Sequence, residues 1–300
     1  MPAKSTSSVV GHMDRRVCLI TGSNSGIGKA AALVLSRLGG NVVMVCRDAV
    51  KGKQALSDIR SKSGNQNVDL ILADLSSMKS VRWLADMVKQ KYQTLHVLVN
   101  NAGEILPKRH ITEDGFERTF ASNHLGHFLL TNLLLDLIKS SAPSRIINVS
   151  SEAHRGARVN FDDIQGEKKY SGFRAYAQSK LTNVLFTYEL AKRLEGTGVT
   201  VNCLHPGVVR TGFGHDEGGL MSLGIWAASP FFISAEKAAR AVVRLATSPE
   251  LEGITGRYFS KMKEARSSKE SYDVDAAQRL WQVSEELTRP FFSQETSDIA

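Results

Sequence analysis

The sequence predicts a doubly wound α/β fold with a central, mostly parallel sheet of about seven strands, and three observations lead there. Short, β-rich apolar runs alternate with amphipathic helical patterns from the start of the chain. The runs are continuously hydrophobic, as expected of strands buried on both faces of a parallel sheet with helices on either side. The segments between them are long enough for the right-handed crossovers such a sheet needs.

The first run, "RVCLIT" at 16 to 21, leads through a glycine-rich turn into "GKAAALVLSRLGG", a helix pattern that ends on glycines. "NVVMVC" at 41 to 46, "VDLILA" at 68 to 73, "LHVLVN" at 95 to 100, "RIINVS" at 145 to 150 and "VTVNCL" at 199 to 204 continue the series. A seventh strand, "GRYFS" at 256 to 260, is expected at an edge, and a C-terminal helix near 274 to 288. Three hundred residues could form one large domain or two small ones. No repeat, low-complexity tract or linker breaks the series, so one domain is expected over 16 to 290, with a disordered tail at 1 to 15 and a second tail at 291 to 300.

Hydrophobic residues make up 42% of the chain and charged ones 23%, which allows a sizeable buried core. Cys18, Cys46 and Cys203 form no Cys-x-x-Cys pair and read as reduced thiols in a reducing compartment, so neither a disulfide framework nor a metal site is expected. The first sixteen residues lack the apolar region of a signal peptide, and no run approaches the ~18 apolar residues of a membrane span. A cytoplasmic protein is the expectation. The formal charge of +8 comes from scattered Lys and Arg with no basic run interleaved with aromatics. That pattern suits a small phosphorylated cofactor better than a nucleic acid.

The turn after the first strand is "TGSNSGIGKAA". Gly22, Gly26 and Gly28 there allow a tight turn and a close backbone approach to a pyrophosphate, which the N–H groups of the following helix would hold. The candidate cofactor contacts of this loop are Gly22, Ser23, Asn24, Ser25, Gly26, Ile27 and Gly28. Its glycine spacing differs from Gly-x-Gly-x-x-Gly, and a turn without a ligand is the alternative. At the end of the second strand an acidic residue would bind a free ribose 2′-hydroxyl; Cys46 stands there instead, followed by Arg47. A guanidinium can clamp a 2′-phosphate, which favours NADP(H) over NAD(H). Asp48 could instead pair with Arg47 or cap the next helix.

In "FRAYAQSKLTNVLF" at 173 to 186, Tyr176 stands one helical turn before Lys180. Taken alone, the pair reads as a half-buried tyrosine and a snorkelling lysine. Other motifs stand beside it: "ADL" at 73 to 75, "NNAG" at 100 to 103, "SNHLGH" at 122 to 127, "NVSS" at 148 to 151, "YAQSK" at 176 to 180 and "HPGVVRT" at 205 to 211. With these and the glycine turn in one order, the chain resembles the short-chain dehydrogenase/reductase family from 16 to about 260. Its retinol dehydrogenase-like branch is the most similar, through "CRD" at 46 to 48, "NHLGHFLLTNLLL" at 123 to 135, "VSSEAH" at 149 to 154 and "QSKLTNVLF" at 178 to 186. Relatives in that branch often carry an N-terminal membrane anchor; none is recognised here, and a soluble relative is expected.

The resemblance implies a Rossmann fold and a proton-relay tetrad. Tyr176 is its acid/base, Ser151 its partner at the carbonyl, Lys180 the helper and Asn123 the fourth member. Of the adjacent serines, Ser151 lies twenty-five residues before Tyr176, the register of that branch, with Ser150 as the alternative. A free tyrosine has a pKa near ~10, and a neighbouring ammonium together with the nicotinamide charge is expected to lower it. By the same resemblance Asp74 and Leu75 flank the adenine and Asn101, Ala102 and Gly103 line the adenosine ribose. Tyr176 and Lys180 also contact the cofactor, and Pro206, Gly207, Val209 and Thr211 hold the carboxamide.

Residues 104 to 117, 152 to 173 and 212 to 234 are the candidate substrate segments. The last is glycine-rich and then apolar, with Met221, Leu223, Ile225, Trp226, Phe231 and Phe232, which suits a lid at about 210 to 234 over a lipophilic substrate. A homodimer contact or a membrane-surface patch would have the same composition. His154 and His215 read as ordinary loop histidines. The function expected is hydride transfer between NADP(H) and a carbonyl or alcohol; the alternative is a non-catalytic NADP-binding regulator or scaffold.

Overall fold

All seven apolar runs form strands in the structure, a computed structural model that describes residues 13–208 and 233–293. The strands are β1 (Val17–Thr21), β2 (Asn41–Cys46), β3 (Val68–Leu72), β4 (Val97–Asn100), β5 (Ser144–Val149), β6 (Val199–His205), β7 (Arg257–Ser260) and β8 (Lys263–Glu264). They make one sheet in the order β3-β2-β1-β4-β5-β6-β7-β8, parallel throughout except for β8. β7 is therefore not the edge: its chain turns back at once and adds the two exposed residues of β8.

Continuous hydrophobicity arises because alternate residues of each strand serve opposite faces. Leu19, Val43 and Leu98 enter the core on one side of the sheet, while Ile20, Met44 and Val99 enter the core on the other. The second face carries α1 (Gly26–Arg37), α2 (Ala49–Ser63) and α6 (Ala235–Thr247). The first carries α3 (Met78–Lys91), α4, α5 (Gly172–Arg193) and α7 (Val274–Thr288). α4 starts as Arg118–Phe120, widens to a π-turn at Ala121–Leu125 and continues as Gly126–Ser140. π-turns concentrate at functional sites, and this one contains Asn123. Met13 is buried, with its N–H bonded to the carbonyl of Leu38.

β1 pairs with β2 on one side and β4 on the other, so successive crossovers diverge there and leave a crevice at the carboxyl ends of the strands. Cys18, Cys46 and Cys203 are free and buried. Among the described residues no helix is long and apolar enough to cross a membrane. Val209, Thr211, His215 and nearly all of the expected lid lie outside the described residues.

Candidate active site

The glycine loop is braced from beneath. Thr21, the last residue of β1, accepts the N–H groups of Asn101 and Ala102 on its hydroxyl, each at 2.9 Å. Asn101 returns the contact, its Nδ2 donating to the carbonyls of Thr21 (2.8 Å) and Gly22 (3.3 Å). Ser23 is fully buried, and its hydroxyl donates to Val45 O and accepts from Val45 N–H. Its side chain thus ties the loop to β2 and does not face the crevice. Gly22 has φ +65°, and a Cβ there would stand 2.9 Å from Ala102 Cα. A Cβ on Gly28 would stand 2.3 Å from Gly22 O. α1 begins at Gly26 with no side-chain cap on its first N–H groups. A cradle closed to side chains and lined by backbone donors fits a pyrophosphate.

A ring of charge stands beside it. Arg47 leaves the end of β2 and places Nη1 3.0 Å from Oε2 of Glu104. Oε1 of Glu104 accepts from Arg118 Nε at 2.9 Å, and Arg118 Nη2 lies 3.9 Å from Asp74 Oδ2. Asp74 also accepts from the N–H (2.9 Å) and hydroxyl (2.8 Å) of Ser76, and Leu75 is buried beside it. Asp48 takes the capping role, accepting from Lys51 N–H at the start of α2 at 2.9 Å.

The four tetrad candidates meet at the carboxyl ends of β4 and β5. Ser151 is hydrogen-bonded to Tyr176, and its Oγ also accepts from Ala153 N–H at 3.3 Å. Ser150 is turned inward, its hydroxyl donating to Lys180 O at 2.7 Å, so the geometry sets Ser151 against the tyrosine. Lys180 Nζ stands 5.5 Å from the Tyr176 ring centroid and donates to Val149 O at 3.2 Å. A Cβ on Gly103 would lie 3.2 Å from Lys180 Nζ and 3.4 Å from Asn123 Oδ1, which puts the fourth member at the same place. The Asn123 amide is fully engaged: Oδ1 accepts from Glu104 N–H (2.8 Å) and Ser122 (3.1 Å), while Nδ2 donates to Glu104 O (2.9 Å) and Ser179 (3.0 Å). Ser179 in turn donates to Tyr176 O at 2.8 Å, so Asn123 braces the tyrosine's helix. Of the carboxamide candidates described, Pro206 and Gly207 follow β6 directly, and Gly207 has φ +104°.

The expected lowering of the Tyr176 pKa is not found in the protein alone. Burial raises it, partly offset by the Ser151 hydrogen bond, and burial brings Lys180 down to about 8. Removal from water disfavours the charged form of each group, phenolate in one and ammonium in the other. This has a measurable consequence. Below pH 8 Lys180 is charged whether folded or not, and the fold bears the cost of a dry ammonium. From about 8 to 10.5 the unfolded chain binds more protons than the folded one, so this contribution to stability rises with pH. Between pH 7.5 and 9.5 the Tm of the protein should gain a few degrees relative to Lys180→Met. Parallel Tm profiles for the two would refute this.

His154 is more than a loop histidine. Its Nδ1 lies 2.6 Å from Ser151 O and its Nε2 accepts Ser268 N–H at 3.0 Å, which fixes the tautomer and holds the serine's backbone. Sequence reasoning passed over Arg118 and Ser179, and placed Glu104 only within a candidate substrate segment. Only Ser179 had a visible signal, its place between Tyr176 and Lys180.

The short chain dehydrogenase family matches residues 16–218. Human retinol dehydrogenase 13 is 45% identical, the alignment covering 91% of this chain and 84% of that protein. A solved protein from Mycobacterium paratuberculosis superposes with a TM-score of 0.76 at 32% identity, covering 93% of this chain and 96% of the other. The Pseudomonas aeruginosa RhlG/NADP active-site complex superposes at 0.67 with 26% identity, covering 87% and 98%.

Proposed function

The chain belongs to the short-chain dehydrogenase family and is an oxidoreductase acting on CH–OH groups, and from that premise we propose that it interconverts a lipophilic, retinal-like aldehyde or ketone and its alcohol using NADP(H). The observation that carries the reading is the meeting of Ser151 with Tyr176, of Tyr176 with Lys180 and of Lys180 with Asn123 at Gly103, beside a backbone cradle fit for pyrophosphate. When bound, the nicotinamide supplies or accepts the hydride. Tyr176 gives its proton to the carbonyl oxygen as the carbon is reduced, and takes it back in the reverse direction. Ser151 donates a hydrogen bond to the same oxygen and holds the carbonyl in line. Lys180 favours phenolate when Tyr176 must act as base, and Asn123 keeps α5 and Glu104 in register.

NADP(H) is supported by Arg47 at the end of β2, where a 2′-phosphate would stand, and by the solved relative in complex with NADP. The lipophilic substrate class is supported by the relatives that act, by name, on retinol.

The test is oxidation of NADPH or NADH by the purified protein, across a panel from retinal and long-chain aldehydes through aromatic ketones to small sugars. NADPH with a lipophilic carbonyl should be the fastest pair, and Arg47→Ala should cut the preference for NADPH about tenfold or more, as expected when a charged hydrogen-bond partner is lost. Faster turnover with NADH would overturn the cofactor reading. NADPH binding without turnover on any carbonyl would return the regulator.

A further inference from the structure

We propose that Glu104 sets cofactor specificity as an internal competitor for Arg47: its carboxylate occupies the guanidinium that the 2′-phosphate of NADP(H) must claim, and Arg118 holds the carboxylate once displaced. The inference rests on the NADP(H) reading above.

Glu104 directly follows Gly103 in the loop after β4, and the Asn123 amide bonds both its N–H and its carbonyl, so the root of the side chain is fixed. The side chain is 17% exposed, whereas that of Arg47 is 55% exposed. The two are 57 residues apart in sequence and come from strand ends on either side of β1. Their ion pair therefore spans the crevice at the topological switch. An exposed pair of this kind is a weak tie. A phosphate brings nearly two charges and three acceptor oxygens against one carboxylate, enough to draw Arg47 away. Glu104 is not then left bare, because its other oxygen already has Arg118 Nε at 2.9 Å. NADPH thus binds against a standing competitor for Arg47, and the displaced carboxylate stays neutralised by Arg118. NADH, lacking the phosphate, leaves the bridge closed.

The test is the dissociation constant of NADPH and of NADH, by titration calorimetry on the full chain, for the wild type, Glu104→Gln, Arg47→Ala and the double variant. Removing the competing charge should tighten NADPH about three- to fivefold, the scale of one exposed ion pair, and change NADH by less than about twofold. In the Arg47→Ala background the gain should vanish, as a double-mutant cycle requires of a direct pair. Glu104→Ala should act in the same direction if the Gln variant folds poorly. NADPH affinity unchanged or weakened in both Glu104 variants, with Arg47→Ala still impaired, would overturn the competition and leave the NADP(H) reading standing. Equal affinity for NADPH and NADH in the wild type and in Arg47→Ala would overturn both.

Discussion

Tyr176→Phe is expected to lower kcat by about three orders of magnitude while cofactor affinity stays within about twofold, because a positioned acid/base contributes ~10²- to 10⁴-fold. The substitution removes one oxygen and keeps the ring over which Lys180 stands at 5.5 Å. Tyr176 sits in a densely braced region, with Ser179 donating to its carbonyl and Asn123 donating to Ser179, so the helix need not move. Stopped-flow turnover and a calorimetric cofactor titration on the same sample separate chemistry from binding. Retention of a tenth or more of the activity would remove Tyr176 from the acid/base role. The residual pH profile carries a second readout. Burial raises the Tyr176 pKa, so the proton stays available for carbonyl reduction through neutral pH, while alcohol oxidation should accelerate as the pH rises. Phe at 176 should flatten that slope.

The sequence disclosed the sheet because burial on both faces leaves a local trace. Leu19 and Ile20 face different cores, and each needs an apolar side chain. β8 leaves no such trace: Lys263 and Glu264 are exposed, and they pair with β7 through backbone groups that no side chain reports. The site divides in the same way. Tyr176 and Lys180 share a helix face, so their spacing is readable. Arg47, Glu104 and Arg118 stand at the ends of separate elements and meet only after the crossovers fold, which no spacing encodes. In the protein without cofactor the Tyr176 pKa is raised, because the sequence shows which charges are near and not how dry the site becomes. Lys180 and Tyr176 are both buried deeply enough that desolvation comes first. Ser150 and Ser151 differ only in which side of the chain each faces, and one hydroxyl goes to Lys180 O while the other meets Tyr176.

Gly28→Ala should weaken NADPH binding about a hundredfold and lower the Tm, without touching any of the four groups at the reacting end. The added Cβ would stand 2.3 Å from Gly22 O and 2.6 Å from Asn101 Nδ2. Backbone on one side and a doubly bonded amide on the other leave no flexible side-chain end to yield. α1 must retreat from the loop, or Gly22 must leave the position that Asn101 holds. Either shift misaligns the N–H groups that would meet the pyrophosphate, and overpacking of this kind costs about 1–3 kcal/mol before any contact to the cofactor is lost. That cost falls on stability and lowers the Tm, whereas two weakened hydrogen bonds to a charged group, at about 1.5 kcal/mol each, account for the ~3 kcal/mol of a hundredfold loss of affinity. If the loop were merely a strand-to-helix turn, the Tm would fall while NADPH affinity of the folded fraction stayed the same. Calorimetric titration below the onset of unfolding tells these apart: a folded Gly28→Ala protein with undiminished NADPH affinity would mean that the cofactor does not rest on this turn.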